Sequence, residues 1–197
     1  MKANKTVGMS IMIGVASSIL ILLASTAQFV IPLGGDTFIG VGEIFTTLSA
    51  ALGGPIAVIV TLLVAYGGNI ILNIDLFTDI QTVYITLADA AAHLFAMLVV
   101  VLCYYKLLYP RVRKTGAFLP GWFLTVGAYY YLALLPLAVA LQSLVNPGFT
   151  STYPSFAMDF FPEFLGTATI TTLIWIALPA RYRRPRWIEP KQEIQDK

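Results

Sequence analysis

The chain has 197 residues, of which 58% are hydrophobic and 11% charged. An ordinary soluble domain carries about 25% charged residues, so this composition excludes a disordered chain and argues against a water-soluble globule. The single cysteine, Cys103, excludes a disulfide-stapled secreted fold. A transmembrane helix takes about 20 residues, which leaves room for roughly five to seven spans and no soluble catalytic domain.

In chain order, span 1 covers residues 7–30, with a small-residue face at Gly14 and Ser18, and Pro32, Gly34 and Gly35 end it. Span 2, residues 38–52, is short. Its helix reaches only about 22 Å, less than the ~30 Å hydrocarbon core, so it reads as a shielded or part re-entrant helix. Gly53-Gly54-Pro55 breaks the chain and starts span 3, which runs to Leu72, with Pro55 at a first-turn position. Asn73 to Asp79 form an outside loop, span 4 covers 80–105, and a basic loop runs from Lys106 to Lys114. Span 5 covers 118–144, with Pro120 and Pro136 as kink sites. A turn-rich loop from Asn146 to Ser155 leads to span 6, residues 157–178.

The net charge of +2 conceals its distribution. All Lys and Arg lie in three clusters: Lys2 and Lys5; Lys106, Arg111, Arg113 and Lys114; and Arg181, Arg183, Arg184, Arg186, Lys191 and Lys197. Cytoplasmic loops are enriched in such residues, so each neighbouring pair of clusters is separated by an even number of spans. Four spans and then two satisfy that rule. The expected fold is therefore an all-α polytopic membrane protein of about six transmembrane helices, with both termini cytoplasmic, in the inner (cytoplasmic) membrane. Residues 1–180 form one transmembrane domain, and 181–197 a basic, then mixed-charge tail that anchors topology and meets anionic lipid or a cytoplasmic partner. A second reading of residues 1–27 is a cleaved signal peptide, which leaves five spans and an outside N-terminus.

Ionisable groups within spans are costly and normally face a cavity or a partner. Glu43, Asp89, His93 and Glu163 are the candidate substrate-binding residues, lining one cavity open to the outside. Asp89/His93 and Asp159/Glu163 are each four residues apart, which places each pair on one helical face. With no Lys or Arg in residues 6–105 or 115–180, such a cavity is electronegative if its carboxylates are charged. It then suits a cationic or amine-bearing solute or a divalent metal. If the carboxyls are neutral, they donate hydrogen bonds to a polar solute instead. Asp36, Asp75 and Asp79 read as solvated loop residues and Asp159 as a helix-start residue. His93 serves equally as ligand contact or as glue to Asp89. No metal-ligand spacing is diagnostic, no cofactor is implied, no enzyme signature is present and nothing points to nucleic acid. Tyr129-Tyr130-Tyr131 with Trp122 reads as packing, the strip Ala88, Ala92, Ala96 as a helix contact and Cys103 as an inert buried thiol.

The stretch from Ile39-Gly40-Val41-Gly42-Glu43 to Gly53-Gly54-Pro55-Ile56-Ala57 resembles a pattern shared by two membrane families. These are the S components of energy-coupling factor (ECF) transporters and the transmembrane sensor region of LytS-type histidine kinases. Gly67-Gly68, the Tyr-Pro-containing basic loop, and Pro162 through Gly166-Thr167-Ala168 resemble the second family, and the likeness covers most of residues 28–178. S components often carry Ala-x-x-x-Ala on span 1, where this chain has Gly14-x-x-x-Ser18, and the basic residues usual in spans 2 and 3 of the sensor are missing. The first resemblance implies a substrate-capture subunit of an uptake transporter, without ATPase activity, working with separate membrane and ATPase subunits. The second implies a ligand-sensing domain acting with a separate output protein. A structural membrane subunit is a third reading.

Overall fold

The computed structural model describes residues 2–27, 30–34, 37–108 and 115–178. Asp36, most of the basic middle loop and the 181–197 tail lie outside them. Among the described residues the apolar runs become helices, as expected where every backbone polar group must be satisfied within its own segment. Helix α1 spans Lys2–Thr26, and α2 spans Val41–Leu72. A 3-10 turn at Ile74–Thr78 leads to α3, Ile80–Cys103, which continues through a π-helical turn at Tyr104–Leu108. Helix α4, Thr115–Gly127, passes through a π-helical stretch at Ala128–Leu134 into α5, Leu135–Val145. Helices α6, Tyr153–Asp159, and α7, Phe161–Ala177, follow. Four helices are long and apolar enough to cross a membrane, or five if α6 and α7, bent by 47°, count as one.

Helix α2 does not run straight. Gly54 has φ 68° and ψ −160°, a combination essentially reserved for glycine, and Pro55 starts the next helical arm without needing an N–H partner. The Ser49 and Thr61 hydroxyls lie 2.7 Å apart. Twelve residues of straight helix would separate them by about 18 Å, so the chain doubles back at Gly54. Arm one, residues 41–53, runs antiparallel to α1, with Gly42 beside Ile21 and Gly53 beside Ile13. Arm two, residues 55–72, runs parallel to it, with Gly14 against Ala57 and Val60, and Gly68 against Leu22.

The small face of α1 makes this packing close. A Cβ on Gly14 would stand 2.8 Å from Val60 Cβ and 3.0 Å from the Ala57 carbonyl. Ser18 Oγ lies 2.7 Å from Gly14 O and 3.1 Å from Thr61 O, spending its hydroxyl on backbone rather than lipid. The Ala88, Ala92, Ala96 strip of α3 is buried as expected.

The hairpin before α2 corrects the sequence reading. Residues 30 and 38–40 were expected in spans 1 and 2, but Val30–Gly34 (β1) and Thr37–Gly40 (β2) pair antiparallel, Val30 opposite Gly40 and Ile31 opposite Ile39. Short apolar runs do not separate strand from helix. Here Pro32, which favours an edge strand, and the β-formers Thr37, Phe38 and Ile39 decide for strands. Apart from this hairpin and short connections, chiefly residues 146–152, the described chain is helical. Asp79 is more than a solvated loop residue: its Oδ2 accepts from Thr82 N at 3.2 Å and caps α3.

The core lies between α3, α4, the π stretch and α7, with Trp122, Tyr129, Tyr130, Met97, Tyr104 and Trp175 fully buried. One face of α7 supplies Thr167, Thr171 and Trp175, spaced four apart. Thr167 meets Tyr130 OH at 3.1 Å, Thr171 accepts from Trp122 Nε1 at 2.8 Å, and Trp175 Nε1 donates to Tyr104 OH at 3.2 Å. Pro136 lacks the N–H that would bond four residues back, and just before it Leu135 N–H reaches Tyr130 O, five residues back. The backbone widens there and remains one continuous apolar helix from Leu119 to Val145.

Candidate functional site

Glu43 lies in the first turn of α2, because the strand ahead of it delays the start of the helix; the sequence reading set it a turn and a half in. A helix N-terminus favours a carboxylate. Its Oε1 accepts from His93 Nε2 at 3.0 Å, and its Oε2 accepts from the Tyr129 hydroxyl. Both oxygens are therefore occupied, one from α3 and one from the π stretch.

His93 sits one turn beyond Asp89 on α3, so its ring returns to its own helix. Nδ1 lies 3.0 Å from the Asp89 carbonyl, 3.4 Å from Asp89 Oδ1 and 3.0 Å from the Tyr66 oxygen. The Tyr66 hydroxyl donates to Asp89 Oδ2, at 2.5 Å. Every neighbour of Nδ1 is thus an acceptor, and Nε2 faces a carboxylate. An imidazolium would satisfy both ring nitrogens here, donating at each. Taking charges out of water costs several kcal/mol each. Here the ring lies between two carboxyl groups, with two tyrosine hydroxyls beside them, and each group has partners.

These side chains border a cleft of about 230 Å³ between α1, both arms of α2 and α3. Asp89, His93 and Glu43 line it with Tyr66 and Asn69, while Ile21, Leu22 and Leu62 form an apolar wall. Exposure separates the two carboxylates: the Asp89 side chain is 44% exposed and that of Glu43 19%. Asp89 is the more exposed acid of the cleft.

Three of the four expected site residues therefore come together. Glu163, in the first turn of α7, lies apart from the cleft lining. Its carboxylate accepts from the Gly40 backbone N–H, and a Cβ at Gly40 would stand 2.6 Å from its Oε1. It ties α7 to the hairpin. The Asp159/Glu163 pairing on one face does not form, because the bend at Phe160 falls between them and leaves Asp159 exposed. Cys103 is half-buried.

Tyr66 and Tyr129 complete the network and were not singled out in this role. A tyrosine at helical spacing reads as packing, and only the fold reveals which hydroxyl meets a carboxylate. Among the described residues no group of three His, Cys, Asp or Glu side chains is arranged for a metal ion. The hydrogen bonds explain this, since both Glu43 oxygens and both His93 nitrogens are already engaged.

No family model matches the chain, and no curated protein or solved structure matches it either.

Proposed function

We propose that the chain is a six-crossing module of the cell's inner membrane with both termini cytoplasmic, and that it captures a small solute from the outer side as the substrate-binding subunit of an uptake transporter. The cleft carries this reading: a polar, partly open hollow set among apolar helices, with one carboxylate turned into it. The crossing count follows if each arm of α2 counts separately and α6 with α7 forms one bent span, and it agrees with the three basic clusters. The proposed role is binding without chemistry. Energy and reorientation come from separate ATPase and membrane subunits, as in the S components the sequence resembles.

The test is a thermal-unfolding screen of the detergent-purified chain against vitamins, amines, amino acids, nucleobases and divalent metals. A ligand at 100 times its Kd stabilises the fold by about 2.7 kcal/mol. A saturable stabilisation that Glu43→Gln or Asp89→Asn weakens is the expected result. A panel that leaves the midpoint unmoved, or a hit insensitive to both variants, refutes the assignment.

A further inference from the structure

The open valences of the cleft are unequal in kind. Tyr66 OH is spent on Asp89 and the His93 nitrogens face oxygens, while Ser25 and Asn69, whose Oδ1 accepts from Asn73, are further polar groups of the lining. The hydroxyl of Thr46 donates to Gly42 O at 3.0 Å, which leaves its lone pairs free to accept. Asp89 Oδ1 stands 3.4 Å from His93 Nδ1 and faces the opening. With both carboxyls ionised and the ring protonated, the cleft carries a single negative charge. No Lys or Arg occurs in residues 6–105 or 115–180 to cancel it. An anion would meet the Asp89 carboxylate. A metal ion would find both Glu43 oxygens and both His93 nitrogens engaged.

We propose that the cleft takes a compact primary ammonium solute, its N–H groups on Asp89 Oδ1 and the neighbouring hydroxyls and its short apolar tail against Ile21, Leu22 and Leu62. This rests on the reading of the cleft as a solute site and adds the solute's class. One positive charge matches the one left uncompensated, and three N–H donors match the carboxylate and hydroxyl oxygens of the lining.

His93 is the chain's one histidine, so [15N]histidine labelling reports on this site alone. Three probes with the same propyl tail, propylammonium, propan-1-ol and butyrate, are titrated into the full chain in detergent. Propylammonium should shift the two ring-nitrogen resonances saturably, while the neutral and anionic probes do not. Asp89→Asn should weaken that response at least tenfold with both nitrogens still protonated. A response to propan-1-ol or butyrate matching that to propylammonium overturns the ammonium assignment and leaves the solute-site reading standing, as does unchanged binding in Asp89→Asn. No saturable shift with any probe, together with no hit in the thermal screen, removes both. Should Asp89→Asn fail to fold, the three-probe comparison on the unaltered chain decides.

Discussion

Two polar regions lie side by side in this protein and treat polarity in opposite ways. Along α7, the Thr167–Tyr130, Thr171–Trp122 and Trp175–Tyr104 pairs are neutral, buried and joined donor to acceptor. They fasten α7 to α4, the π stretch and the C-terminal end of α3. In the cleft, Glu43, His93 and Asp89 are ionisable, and Asp89 is partly exposed. A seam whose hydrogen bonds are all made has nothing to offer a solute. A cluster with one open carboxylate beside a hollow does. The difference lies in unspent valence rather than in the number of polar residues.

The largest expected effect comes from removing the positive charge that holds the cleft. His93→Leu leaves Glu43 and Asp89 facing each other, and breaking a buried ion pair in this way costs about 3–5 kcal/mol. Chemical denaturation should also show that Glu43→Gln together with His93→Gln recovers more than half of that loss. A His93→Leu protein as stable as the parent would erase the contrast between the regions. Next is the reversal that brings the two arms together. Gly54→Ala forces a side chain into a backbone region essentially restricted to glycine, at about 1–3 kcal/mol, and should weaken solute binding as well, since both arms line the cleft. The smallest change belongs to the seam. Trp122→Phe deletes the bond to Thr171, whose hydroxyl keeps its 2.6 Å bond to the Thr167 carbonyl. A loss of about 0.5–1.5 kcal/mol follows, with propylammonium binding unchanged within twofold. A large loss of binding there would show that the regions are not separable.

Much of the fold was legible because a membrane imposes a coarse code. Apolar runs marked the long helices, and Gly53-Gly54-Pro55 marked the reversal, since no other residue tolerates the backbone of position 54. The hairpin was not read from periodicity, because four residues at 37–40 are too few to separate strand from helix and they run on into the apolar start of α2. The Asp89/His93 pair was legible from its spacing along one unbroken helix. The same spacing misled at Asp159/Glu163, where a bend intervenes. Which distant partner each acid finds depends on helix rotation. Glu43 turns toward His93 and Tyr129, Glu163 toward Gly40, and nothing local in the sequence encodes either.

The π-helical stretch at Ala128–Leu134 places one tyrosine in each region from adjacent positions: Tyr129 bonds Glu43, and Tyr130 bonds Thr167. Their rings meet edge-on with centroids 5.1 Å apart. A wide turn of this kind amounts to one residue inserted into an ordinary helix. Deleting a residue there would restore the narrower winding and swing the side chains on one side of the cut by about 100°. Tyr129 and Tyr130, being adjacent, would turn together relative to the helix beyond the cut. The extra residue acts as a phase shifter along this helix: the two tyrosines and the residues of α5 keep their partners at the same time only while the helix carries it.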